Sequence, residues 1–300
     1  MATATAVKQT RAEWLAERRT GIGGSDAAAI MGVSPWRSAY ALWAEKTGLA
    51  PVEDTEESEA MEWGRRLEPL VAEKFSEVTG RQIAPGAGIV RHPRHEFMLA
   101  TLDFNQQCPE RGPGVLECKT LGFFRSDEWN EEPPLHYQIQ VQHYLAVTGR
   151  EWGSFAALIG GQRFVWCDVP RNDGFISALE EECAAFWERV KLGDPPPIDG
   201  SRSTAAALKR LYPKDSGQTI VLPAEASAWH DEIETAKAEI DRWTEIRLAA
   251  ENKLKAAIGD ATEAYVPGGP RWTYKLQRKK ETTQAACEYR VLRLMKERKR

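Results

Sequence analysis

The pattern of apolar and polar positions divides the chain into three stretches. In the first, helical segments alternate with glycine and proline stops. Residues 10–19 (TRAEWLAERR) read as a helix ending at Thr20-Gly-Ile-Gly-Gly24, where Ser25 or Asp26 can cap a second helix through Ala27-Ala-Ala-Ile-Met31. Gly32 and Ser34-Pro35 stop that helix, and a third follows over about 38–47. A longer helix over 59–79 spaces Trp63, Leu67, Leu70, Val71, Phe75 and Val78 at intervals of three and four, so this set is expected to be buried.

The second stretch reads as a mixed sheet with one helix crossing it. Strand-like pieces fall at 88–92, 97–105 and 114–120, and a helix over 135–147 ends at Gly149. Two further strands, 153–160 and 163–169, flank Gly160-Gly161, a hairpin signal. A helix over 172–192 closes the unit at Gly193-Asp-Pro-Pro-Pro197, a linker composition. The third stretch differs in kind. One long polar helix over 224–258 carries Trp229, Ile233, Ala236, Ile240, Trp243 and Arg247 near heptad spacing. Two short strands, 261–266 and 271–277, then bracket Pro267-Gly-Gly-Pro270. The order predicts an α/β domain over 1–195, a mixed central sheet flanked by helices. Residues 196–300 form a C-terminal extension with a long helix, a short hairpin and a basic tail.

Composition narrows the class. Hydrophobic residues make up 42% of the 300 positions and there are eleven tryptophans, which excludes a disordered chain. No apolar run approaches the ~20 residues of a membrane span, and the N-terminus lacks the apolar core of a secretory signal, so a cytoplasmic protein is expected. The five cysteines are widely spaced with no C-x-x-C pair, which argues for free thiols over a zinc ribbon, an iron–sulfur cluster or a disulfide framework. The net charge of −4 hides an asymmetry: residues 271–300 carry eleven Lys/Arg against three Glu, leaving −12 on residues 1–270. An acidic body gives no support for nucleic-acid binding, whereas the basic tail does.

The candidate chemistry centres on Asp103, Glu117 and Lys119. Val115 to Lys119 reads as a strand, so Glu117 and Lys119 share one face while Leu116 and Cys118 point into a core. Pro109, Gly112, Pro113 and Gly114 can fold the chain back and bring Asp103 beside Glu117. Two converging carboxylates make a hard oxygen site suited to Mg²⁺, and an adjacent ammonium can meet the charge of an attacked phosphate. An ion pair on a sheet face would give the same sequence without function. Glu68 on the 59–79 helix can look into the sheet or lie on the helix surface. Gln140 on the 135–147 helix faces the core side and needs a partner there. His92 and His95 flank Pro93 without a cysteine cluster, which disfavours zinc. Trp129, Trp152 and Trp166 are expected in the core, with base stacking the alternative.

Six segments, in this order, resemble one family. They are Arg18-Arg-Thr-Gly-Ile-Gly-Gly-Ser-Asp26, Leu42-Trp-Ala-Glu-Lys-Thr-Gly48, Trp63-Gly-Arg-Arg-Leu-Glu68, Ala100-Thr-Leu-Asp103, Leu116-Glu-Cys-Lys119 and Tyr137-Gln-Ile-Gln-Val-Gln142. Over about residues 10–190 the chain resembles phage-type exonucleases of the lambda exonuclease/YqaJ group, within the PD-(D/E)XK nuclease superfamily. Leu102-Asp103 stands at the family's "PD" position, so the proline is replaced and the ligand kept. The resemblance implies a PD-(D/E)XK fold and Mg²⁺, with Mn²⁺ able to substitute. It places the ion on Asp103, Glu117 and the backbone carbonyl of Cys118, with Glu68 binding directly or through water. Lys119 would polarise the attacking water, and Gln140 would orient Lys119 or that water. Arg18 and Ser25 would take the DNA 5′-phosphate, with Arg19 able to stand in for Arg18; Asp26, an anion beside that pocket, is an objection. The implied activity is degradation of double-stranded DNA ends from 5′ to 3′, leaving 3′ overhangs for recombination. A homotrimer and a single-strand annealing partner belong to the same implication. Two rivals remain: an endonuclease on this scaffold, and a silent module that binds DNA ends. The cysteine spacing disfavours an iron–sulfur nuclease.

Overall fold

The chain passes through α1 (Arg11–Arg19), α2 (Gly24–Ile30), α3 (Ala39–Lys46) and α4 (Glu59–Thr79) before it reaches the sheet. The computed structural model describes residues 11–50, 58–123, 129 and 132–278. Strands β1 (Gln82–Pro85), β2 (Ile89–Arg91), β3 (Leu99–Thr101), β4 (Phe104–Cys108) and β5 (Gly112–Leu121) follow. Next come α5 (Leu135–Thr148), β6 (Trp152–Ile159), β7 (Arg163–Pro170), α6 (Asp173–Leu192) and α7 (Arg202–Leu211). Beyond them lie α8 (Ala226–Ile258) and a hairpin of β8 (Glu263–Tyr265) and β9 (Arg271–Thr273). The basic tail beyond residue 278 lies outside the described residues.

The central sheet has the order β1-β4-β5-β6-β7. All its pairs are antiparallel except β5–β6, and that parallel step needs a crossover, which α5 supplies. The turn over 109–111 joins β4 to β5, and Gly112, at φ 73°, opens β5 in the left-handed region. The resulting register sets Phe104 opposite Leu116. Asp103, one residue before β4, is thereby carried to the level of Glu117.

Two cores sandwich the sheet. Leu116, Cys118, Phe104 and Ala156 meet Val71, Ala72 and Phe75 of α4 on one face. Val115, Phe155 and Ala157 meet α5 on the other, and Leu42 of α3 and Leu179 of α6 join that larger core. Trp129 and Trp152 are buried, whereas Trp166 is 39% exposed and sets its ring edge-on to Phe75. Among the described residues no helix is long and apolar enough to cross a membrane.

The structure departs from the sequence expectation in several places, beginning with β1, which was not expected. Trp63, Leu70 and Val78 of α4 are at least half exposed, because the helix meets the sheet along a stripe through Val71, Ala72 and Phe75. At roughly 100° per residue, Leu70 falls on the flank opposite Ala72. The strand expected over 97–105 breaks at Leu102-Asp103, since β3 pairs with β2 in a separate ribbon and β4 joins the main sheet. Gly23, not Ser25 or Asp26, is the N-cap of α2. Finally, the chain divides into compact units after Pro213, not at Pro195–Pro197. Helix α7 belongs to the first unit: Ser38 N donates to Ser203 Oγ at 3.1 Å, and Ala207 is wholly buried.

Candidate active site

The β4–β5 hairpin sets two carboxylates side by side. Asp103 Oδ2 accepts a hydrogen bond from the backbone N–H of Cys118 at 2.9 Å. Glu117 is almost fully buried against α5, where Gln140 Nε2 donates to its Oε1 at 2.6 Å. The ammonium of Lys119, two residues on along the same strand face, pairs with that same oxygen. Gln140 also donates to the hydroxyl of Tyr144 at 2.9 Å, one turn further along α5. Lys119 Nζ lies 5.1 Å from the centre of the Tyr137 ring. The other Glu117 oxygen, Oε2, is buried and receives no hydrogen bond.

The electrostatics follow from this crowding. Burial and the neighbouring Asp103 push the Glu117 carboxyl up to about 8. Burial raises Asp103 as well, against the pull of Lys119. On α4, half-buried Glu68 is raised to about 7 by desolvation and by Asp103. Burial disfavours the Lys119 ammonium, but Glu117 and Asp103 outweigh it and hold its pKa above the ordinary lysine value. The cluster carries more acid than its one cation can balance. Among the described residues, however, no three His, Cys, Asp or Glu side chains converge into a ready-made metal cage. The donor set fits a hard cation in another way. Asp103 and Glu117 offer carboxylate oxygens, Oε2 lacks a donor, and added positive charge would relieve the raised carboxyls.

A cavity of about 240 Å³ opens onto these groups, and the N-terminal motif lines its far wall. Its lining includes Asp103, Glu117, Lys119 and Gln140 on one side and Arg18, Gly23, Gly24 and Ser25 on the other. Arg18 Nη2 donates to Ser25 Oγ at 3.1 Å, and its guanidinium lies 4.8 Å from the centre of the Trp14 ring. Arg19 is exposed and does not line the cavity. Gly24 allows α2 to approach α5: a Cβ there would lie 2.6 Å from the Tyr144 ring and 3.0 Å from Gln140.

Asp26 is not an anion facing this cavity. It is wholly buried beneath it, bonded to Lys46 at 2.8 Å and to Arg37 at 2.9 Å. Its Oδ2 also accepts the backbone N–H of Gly23 at 3.1 Å. Burial would raise this carboxyl, but Lys46, Arg18 and Arg37 outweigh it and hold it well below the usual carboxylate range. Lys46 also donates to the backbone carbonyl of Arg18 at 2.9 Å. Asp26 and Lys46 thus tie the end of α1 to the start of α2 and fix the spacing of Arg18 and Ser25.

Sequence reasoning placed Glu68, Asp103, Glu117, Lys119, Gln140, Arg18 and Ser25, and the fold draws the last six around one cavity. Glu68 approaches from α4 and does not line it. Gln140 holds Glu117, not Lys119 directly. Trp14, Tyr137, Tyr144 and the Lys46 anchor were missed, although Lys46 lies inside a quoted segment and Tyr137 opens another. His92 and His95 both turn to Glu180, at 3.2 and 3.7 Å, an arrangement that explains the pair without a metal. Cysteines 108, 118, 167 and 183 are free thiols.

This is a nuclease-type fold, with its acidic residues gathered at the edge where the β4–β5 hairpin meets the crossover helix. The chain belongs to the YqaJ-like viral recombinase family: that domain matches residues 13–151. It is 36% identical to the uncharacterized protein YqaJ of Bacillus subtilis over 264 residues, 86% of this chain and 82% of that one. Protein D345L of African swine fever virus is 32% identical over 159 residues, 45% of each chain. An alkaline exonuclease from Laribacter hongkongensis (LHK-Exo) shares the fold, with a TM-score of 0.53 at 24% identity over 61% of this chain and 94% of that one.

Proposed function

We propose that the protein is a Mg²⁺-dependent deoxyribonuclease that degrades double-stranded DNA from 5′-phosphorylated ends and leaves 3′ overhangs for recombination. The observation that carries this reading is the shared cavity. A guanidinium–hydroxyl pair suited to a terminal phosphate and a carboxylate–ammonium cluster suited to phosphodiester hydrolysis face one space of about 240 Å³. Membership of a viral recombinase family supports DNA as the substrate.

Asp103 and Glu117, with the Cys118 carbonyl and with Glu68 directly or through water, would hold Mg²⁺ or Mn²⁺. The ion would supply positive charge to the scissile phosphate and lower the pKa of a bound water. The chain's own residues do the rest. Lys119, whose pKa is raised by the neighbouring Glu117 and Asp103, would donate hydrogen bonds and positive charge to the water or the phosphate. Lys119 pairs with Glu117 beside the cavity, where its Nζ would be in place to meet the attacking water or the phosphate. Gln140, braced by Tyr144, holds Glu117 in position. Arg18, braced by Trp14, offers a forked donor to the 5′-phosphate beside Ser25 Oγ. We extend the proposal to a homotrimer and a single-strand annealing partner on the family resemblance alone.

Digestion of a linear duplex with 5′-phosphate ends beside a covalently closed circle, with Mg²⁺ or EDTA, tests the reading. Mg²⁺-dependent loss of the linear DNA alone is expected. Cutting of the circle would establish an endonuclease instead, and no cutting with retained end binding would establish a silent module.

A further inference from the structure

Helix α8 is 33 residues long and buries none of them. One stripe along it, apolar except for Arg247 and with Ile246 and Leu248 outside it, nonetheless keeps a regular spacing. Trp229, Ile233, Ala236, Ile240, Trp243, Arg247, Ala250 and Leu254 alternate steps of four and three, a repeat of 3.5 residues. A free-standing helix of 3.6 residues per turn has no reason to keep that period, because the stripe would drift around it by about 20° per heptad. Two helices winding around each other do. Trp229, Ile240 and Trp243 stand 53%, 64% and 61% exposed, a seam of large side chains in water.

The residues of the seam choose the partner and its direction. We propose that α8 pairs with α8 of a second copy of this chain in an antiparallel coiled coil. Two parallel copies in register would set Arg247 against Arg247 and Trp243 against Trp243, with Ala236 facing Ala236. Like charges would meet, and two indoles would crowd one layer while a gap opened two layers away. Reversing one copy about the midpoint between Asp241 and Arg242 pairs Trp243 with Ile240, Trp229 with Leu254, Ile233 with Ala250 and Arg247 with Ala236. Each large side chain then meets a smaller one, and neither arginine faces its twin. The flanks agree: Glu232 comes beside Lys253 of the other copy, and His230 beside Glu251. The seam from Trp229 to Leu254 is about 38 Å long at 1.5 Å per residue, several full heptads. Being isologous, the contact closes after two copies. It is independent of the nuclease reading and joins chains whatever the first unit does.

The mass of the full-length protein in solution tests this. An even multiple of 33.6 kDa is expected for the wild type, six copies where the trimer also forms, and half that mass for Ile240→Asp/Trp243→Asp. The substituted residues are exposed, so the melting temperature of the nuclease unit and its activity on short linear duplexes should be unchanged. Glu232→Lys should weaken the association at least ten-fold, and adding Lys253→Glu should restore it. An odd multiple in the wild type, or an unchanged mass in the double variant, would overturn the pairing. Restoration by Lys237→Glu in place of Lys253→Glu would overturn its direction.

Discussion

Asp26 and Glu117 are both buried carboxylates on the larger core side of the sheet, and their environments push them in opposite directions. Asp26 has Lys46, Arg37 and a backbone N–H, and its charge is more than balanced. Glu117 has one cation, which it shares with Asp103, and its carboxyl rises to about 8. A buried acid that is fully partnered serves the architecture. One left short of positive charge has the electrostatics of a functional site. Removing each acid should therefore have opposite consequences.

The largest expected effect is on catalysis. Glu117→Gln should lower the rate of duplex digestion by at least ~10³-fold, equivalent to about 4 kcal/mol, while the melting temperature stays level or rises because a like-charge pair is relieved. In the same variant the stabilisation of the wild type by millimolar Mg²⁺, read as a rise in melting temperature, should vanish. Asp26→Asn should do the reverse. Lys46 would be left buried without its counter-charge, at a loss of stability of about 3 kcal/mol in denaturant unfolding. A variant that unfolds no more easily than wild type would show that Asp26 is not an anchor.

Smaller effects sharpen the contrast. His143 is wholly buried, its Nε2 donates to the backbone carbonyl of Leu99 at 3.0 Å, and burial lowers its pKa to about 4. The unfolded histidine takes up a proton near pH 6.5 and the folded one does not until about pH 4. Stability should therefore fall as pH drops through that window, by on the order of 3 kcal/mol at most. His143→Gln should flatten the loss between these values. Asp26, whose carboxyl is depressed, contributes stability that disappears only below the ordinary carboxylate range, so the two are separable in one titration. Smallest is Arg18→Ala. It should reduce the preference for 5′-phosphate over 5′-hydroxyl ends by about ten-fold, worth ~1.4 kcal/mol, through KM more than kcat.

Local rules made the acidic site legible. Alternation along β5 put Glu117 and Lys119 on one face, and a turn close to the expected one, over 109–111, brought Asp103 to their level, although Gly112 and Pro113 belong to β5. Helical spacing turned Gln140 inward. The burial of Asp26 was not legible, because its neutralising partners lie 11 and 20 positions away on a loop and on α3, and nothing local announces that they converge. Helix α4 failed for a related reason. Its six apolar positions gave a stripe, but the sheet's narrow contact decided which of them are covered. Helix α7 lies beyond a proline run that resembles a linker, and only its docking on α3 makes it part of the first unit.

The glycine at position 24 acts as a gauge block. With no side chain between α2 and α5, the Arg18–Ser25 pair and the carboxylates are held at the spacing set by the close approach of Gly24 to Tyr144 and Gln140. On the proposed reading, such a site would measure from the terminus before it cuts. Gly24→Ala would thicken the block by one methyl group, and the size of the released product, not merely the speed of its release, would report the change.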